Sequence, residues 1–190
     1  MTLPAALLIV LIIILLYLIY DRSDFNCINV VANDGNEYCM TDARGANLMA
    51  EIHVRVVGLL RELKRKYITN SSNNASYGTD ITRKVLERYN PNNIIETPPN
   101  NLKNDTSYTI GKGKILALCI RNKDGTYVDI NTLMYVVIHE LGHLGVHAID
   151  HENEFKQAFG FLLREATLMG IYNDVDYSKN PTYYCNMVIT

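Results

Sequence analysis

The chain has 190 residues and a mass of 21.6 kDa, enough for one ordinary domain with a small appendage and too little for two large ones. It is 48% hydrophobic and 20% charged, outside the low-hydrophobicity, high-charge composition that keeps chains disordered. A formal net charge of -2 and a pI near 6.2 provide no basic excess for tracking a phosphate backbone, so nucleic acid is not an expected partner.

Apolar residues concentrate at the N-terminus. Leu3 to Tyr20 is an uncharged run of 18 residues, thirteen of them Leu, Ile or Val. As a helix it would be about 27 Å long, close to the roughly 30 Å hydrocarbon core of a bilayer. Summed insertion preferences of about -0.4 kcal/mol per Leu, Ile or Val favour the bilayer. No Lys or Arg precedes the run and no small-residue cleavage site follows it, so the expectation is a transmembrane anchor over residues 1–21 and not a cleaved signal. Arg22, the one cation beside the span, leans the remaining chain towards the cytosolic side. Glycosylation acceptors starting at Asn70, Asn74 and Asn104 would point the other way if used.

Residues 22–40 read as an irregular stalk with a turn at Asn33-Asp34-Gly35. From Asp42 to Tyr67 apolar residues recur at helical spacing (Leu48, Ile52, Val56, Leu59, Leu63), capped by Thr41 or Asp42. Asp80 is a candidate cap for a short helix to Tyr89, stopped by Asn90-Pro91. Between Tyr108 and Val128 the pattern changes to strands: Lys114 to Ile120, a turn at Asn122 to Gly125, and an antiparallel return at Thr126 to Val128. A helix capped by Asp129 or Asn131 then runs to about Leu144, with Gly145 suited to a left-handed end. A second helix spans about Glu152 to Met169, and Tyr183 to Ile189 reads as a closing strand. Of the four cysteines, Cys119 lies in an apolar strand as expected of a reduced thiol, and Cys27 and Cys39 could pair in an oxidising compartment.

The chemistry lies at His139-Glu140-Leu141-Gly142-His143. Residues four apart on a helix differ by about 40° in azimuth, so both imidazoles share one face and can hold a single Zn²⁺ while Glu140 projects beside them as a general base. A catalytic zinc normally has three protein ligands. His151 is the favoured third, because Phe155 four residues on places it on the core stripe of the following helix. The alternatives are Glu165, a distal glutamate, and His147, which Gly145 should separate from the helix. Glu165 lies fourteen residues beyond His151, about 21 Å along a helix, so the two cannot ligate one ion. Tyr177, Tyr183 and Tyr184 are available as oxyanion donors but read as structural, and Asp150 and Glu154 are close enough in sequence to support an imidazole.

His139-Glu-Leu-Gly-His143, a short loop and His151-Glu-Asn-Glu-Phe155 opening a helix together resemble the WLM (Wss1-like) and SprT-like metallopeptidases. The resemblance covers roughly Lys114 to Ala166. The apolar N-terminus, the lead-in Leu133 to Ile138 and the tail from Ile171 to Cys185 resemble the small membrane-anchored members in large eukaryotic DNA viruses. It implies an α+β, zincin-like metallopeptidase domain over 41–190, with the zinc helix beside a small, mostly antiparallel sheet and a transmembrane helix in front. It also implies Zn²⁺ on His139, His143 and His151, Glu140 as base, a protein or peptide substrate, and a virion or host internal membrane as location. The rival expectation is a non-enzymatic, zinc-stabilised structural or interaction protein of the same fold. Intact Glu140 argues against it, because a structural zinc site closes its fourth position with Cys or His. Nothing in the sequence sets the oligomeric state.

Overall fold

The computed structural model describes residues 7–15, 27–70, 76–97, 106–147 and 153–190. Residues 7–15 are helical (α1) and exposed along their length. Nine residues make a helix of about 14 Å, under half of what a bilayer requires, and among the described residues no helix is long and apolar enough to cross a membrane. The expected single-pass anchor, and the membrane location drawn from it, are corrected accordingly; the rest of the apolar run lies outside the described residues.

The expected stalk contains two strands. β1 (Ile28–Val31) and β2 (Glu37–Met40) form an antiparallel hairpin, turned at Gly35, whose φ of +81° suits a residue without a Cβ. Helix α2 (Ala43–Lys64) follows, with Asp42 as N-cap accepting from the Gly45 amide at 2.7 Å, and ends in a π-helical turn, Arg65–Thr69. Helix α3 (Tyr77–Arg88) starts four residues earlier than expected, because Ser76 and not Asp80 caps it; Asp80 sits in the first turn and pairs with Lys84 at 2.7 Å. Three short strands complete the sheet: β3 (Ile94–Glu96), β4 (Tyr108–Ile110) and β5 (Ile115–Leu118).

The sheet order is β1-β2-β3-β5-β4. The two outer pairings are antiparallel and the two inner ones, β2 with β3 and β3 with β5, are parallel. The fold is therefore α+β with a mixed sheet, where a mostly antiparallel one was expected. The difference arises because β3, three residues long, is reached from β2 through the helical crossover of α2 and α3 and lies parallel to both β2 and β5. Helices α4 (Ile130–Gly145) and α5 (Asn153–Leu168) pack on one another, α4 also contacts α3 and β4, and α2 covers β1 and β2. Asp129 caps α4, accepting from the Thr132 amide at 2.9 Å. The C-terminal end of α4 is made differently from expectation. Gly145 is buried within the helix, where an added Cβ would meet Ile81 of α3 at 3.0 Å. The terminal carbonyls are satisfied by Arg88, whose Nη1 donates to Leu144 O at 2.6 Å and Val146 O at 2.9 Å.

A separate hairpin, β6 (Thr182–Tyr184) with β7 (Met187–Ile189), ends the chain. Cys119, expected as a free thiol, is bonded to Cys185 in this hairpin, and Cys27 is bonded to Cys39, with Cα separations of 6.4 and 5.2 Å. Such bonds persist where surroundings are oxidising, which runs against the cytosolic lean. Replacing Cys119 and Cys185 together by Ala is expected to cost about 2–4 kcal/mol, read as a lower urea midpoint under non-reducing conditions. An unchanged midpoint would show that the two thiols are unpaired in solution.

Candidate active site

Helix α4 places His139, Glu140 and His143 on the wall of one cleft of about 470 Å³, closed on the other side by Ser107, Tyr108 and Thr109 on and before β4, and by Gly111 and Lys112 in the turn after it. The imidazole centroids of His139 and His143 are 5.1 Å apart and their planes are inclined at 72°. Below them lies an aromatic floor from α5. Phe155 stacks on His143 at 4.2 Å and meets His139 edge-on at 4.8 Å, and Phe159 meets His139 at 5.2 Å. Gly142 permits this approach: a Cβ there would lie 3.1 Å from the Phe155 ring and 3.3 Å from Phe159 Cβ.

Glu140 is 4% exposed. Burial pushes its carboxyl up to about 7, against the opposing pull of a hydrogen bond from Thr109 Oγ1 to Oε2 at 2.8 Å. A divalent cation held nearby would favour the ionised form again.

The strand carrying Thr109 is fixed from behind by a closed ring of hydrogen bonds. The Cys119 amide donates to Ser107 Oγ at 2.9 Å, Ser107 Oγ and Tyr184 Oη are 2.5 Å apart, and Tyr184 donates to Cys119 O at 2.8 Å. Tyr184 is thus a structural residue that holds the cleft wall from behind. Tyr177 is buried against Tyr135 at 4.7 Å, and Tyr183 is exposed.

Of the candidate third ligands, Glu165 is excluded by its surroundings. It is 2% exposed and bound by Lys66 Nζ at 2.8 Å and Tyr67 Oη at 2.8 Å, away from the cleft lining. His147 follows the end of α4, is exposed and does not line the cleft. His151 and Asp150 lie outside the described residues, and Glu154 faces Lys84 at 4.0 Å. Among the described residues no three His, Cys, Asp or Glu side chains group to hold a metal ion. Of the expected three-ligand centre the described residues contain two imidazoles and, beside them, a buried carboxylate; its third expected member, His151, lies outside them. Sequence reasoning missed Thr109, Ser107, Tyr108 and Lys112, since no spacing marks them and only the crossing of β4 over α4 brings them to the motif.

No family model matches the chain, and no solved structure matches it. It is similar to three viral proteins, each named only as uncharacterized. One from Acanthamoeba polyphaga mimivirus is 45% identical over 44% of this chain and 43% of its own length. One from Invertebrate iridescent virus 6 is 36% identical over 42% of this chain and 44% of its own. One from Invertebrate iridescent virus 3 is 39% identical over 54% of this chain and 62% of its own. The matches thus span less than two thirds of each relative, and none of the names states an activity, a metal or a substrate.

Proposed function

We propose that the chain is a zinc-dependent metallopeptidase with Glu140 as general base. The observation that carries the reading is the convergence of His139, Glu140 and His143 on one cleft from a single helix. The imidazole spacing fits a shared ion. With Zn–N bonds of about 2.0–2.1 Å and tetrahedral angles, two ligating rings should have centroids about 5 Å apart, and these are 5.1 Å apart. His139 and His143 would hold the metal, with His151 as third ligand; Phe155, four residues after His151, lies against both imidazoles. When bound, Zn²⁺ supplies Lewis-acid activation of water and of the scissile carbonyl.

The chain's own residues supply the rest. Glu140 accepts the proton of the attacking water and passes it to the leaving amine. Its burial strengthens electrostatic interactions at the point of attack. A peptide is the substrate the cleft favours, because β4, last in the sheet order among the described strands, borders it. An extended chain can pair there through backbone hydrogen bonds.

The test is zinc content and cleavage of a mixed peptide library by the purified chain and its variants. Zinc should co-purify, chelation should abolish cleavage, and His139→Ala and His151→Ala should lose both metal and activity. His147→Ala and Glu165→Gln should retain zinc. Undiminished cleavage by the zinc-stripped chain would overturn the reading, and loss of zinc from Glu165→Gln but not from His151→Ala would overturn the ligand set.

A further inference from the structure

The carboxylate assigned as general base has one hydrogen-bond partner among the described residues, and it comes from another element: Thr109 Oγ1 on β4, 2.8 Å from Glu140 Oε2. A buried carboxylate with both oxygens unpartnered could rotate between orientations of similar energy. One hydroxyl on one oxygen removes that freedom and leaves Oε1 as the oxygen without a hydrogen-bond partner among the described residues. Thr109 is itself held. Its strand is in register with β5, opposite Leu116, and Ser107 two residues earlier is tied to the Cys119 backbone and to Tyr184. Tyr184 belongs to the hairpin that the Cys119–Cys185 bond joins to the end of β5.

We propose that Thr109 is a positioning residue for Glu140, holding Oε2 so that Oε1 is presented to the reacting water, and that the edge strand bordering the cleft thereby aligns the base as well as the substrate. The assignment rests on the peptidase reading given above. Its action is on turnover and not on substrate capture, because the hydroxyl is spent on the carboxylate.

The experiment compares Thr109→Val, which keeps the shape and β-branching of the strand residue, with Thr109→Ser, which keeps the hydroxyl. Thr109→Val is expected to lower kcat roughly 10–100-fold, the scale of losing a supporting hydrogen bond around a metal site, with KM and zinc content unchanged. Thr109→Ser should return to within about threefold of the parent. Introduced into Glu140→Gln, Thr109→Val should have almost no further effect, because residues acting through one group are non-additive. Full activity of Thr109→Val beside an inactive Glu140→Gln would overturn the positioning role and leave the peptidase reading standing. An equal fall in Thr109→Ser and Thr109→Val would overturn it in favour of packing. Activity retained by Glu140→Gln, or absent from the parent chain, would remove the peptidase reading and the role of Thr109 together.

Discussion

Glu140→Gln is expected to lower peptide cleavage by at least ~10²-fold while zinc content stays at the parent level. The size follows from losing a positioned proton acceptor, which is worth about 10²–10⁴ in rate. The specificity of the effect follows from the site. Glu140 is buried on α4 between the two imidazoles in sequence, yet the one hydrogen bond its side chain accepts among the described residues comes from Thr109. Gln keeps the length of the side chain and an oxygen that can accept from Thr109 Oγ1, so the fold and the imidazole pair should survive. What it lacks is a site for the proton. Zinc content and kcat measured on one preparation check this: zinc retained with activity lost identifies a base, and loss of both would place Glu140 among the ligands. Cleavage at the parent rate would remove the enzymatic reading.

The helical parts of this molecule were legible from the sequence, and the joins between them were not. The periodicity over Asp42 to Tyr67 and the run from Asp129 to Leu144 became α2 and α4 within a few residues, because such elements are set by local capping and by one apolar face. The motif residues came to one cleft for the same reason, since their spacing is a property of a single helix. The sheet escaped. β1 and β2 are four residues each and β3 three, too short for alternation to stand out, although the Asn33-Asp34-Gly35 turn between β-rich flanks was the available hairpin signal. The Cys119–Cys185 bond joins residues 66 apart, and four cysteines permit three connectivities that spacing cannot choose between. Arg88 capping α4 and Thr109 bonding Glu140 are likewise products of tertiary crossing. At the N-terminus, hydropathy alone indicated an 18-residue span, whereas the described helix covers nine residues.

Arg121→Met is expected to destabilise the fold by about 3 kcal/mol or more, the range found when one partner of a buried ion pair is removed. The guanidinium lies where β5, β3 and the start of α2 meet. Its Nε donates to Glu96 Oε1 at 2.7 Å, Nη1 to Asp42 Oδ2 at 2.6 Å, and Nη2 to Thr41 Oγ1. Glu96 is 2% exposed, and its other oxygen accepts from the Thr41 amide at 2.8 Å and the Thr41 hydroxyl at 2.9 Å. Removing Arg121 therefore strands a buried carboxylate, and that desolvated charge carries most of the cost. Arg121→Met with Glu96→Gln should recover much of the loss, since Gln removes the charge and can still accept from Thr41. The pH dependence has a definite sign. The Arg121 guanidinium holds the Asp42 carboxyl well below the usual carboxylate range. A lowered folded-state pKa gives stability that is present above the unfolded value, near 3.9, and lost as pH falls below it. Asp42 is partly exposed, so this contribution is the smaller one. Urea unfolding at pH 7 and pH 3 should show the gap between parent and Arg121→Met narrowing in acid. An equal gap at both pH values would remove Asp42 from the account, and a double variant as unstable as Arg121→Met alone would show that the loss comes from packing and not from the stranded charge of Glu96.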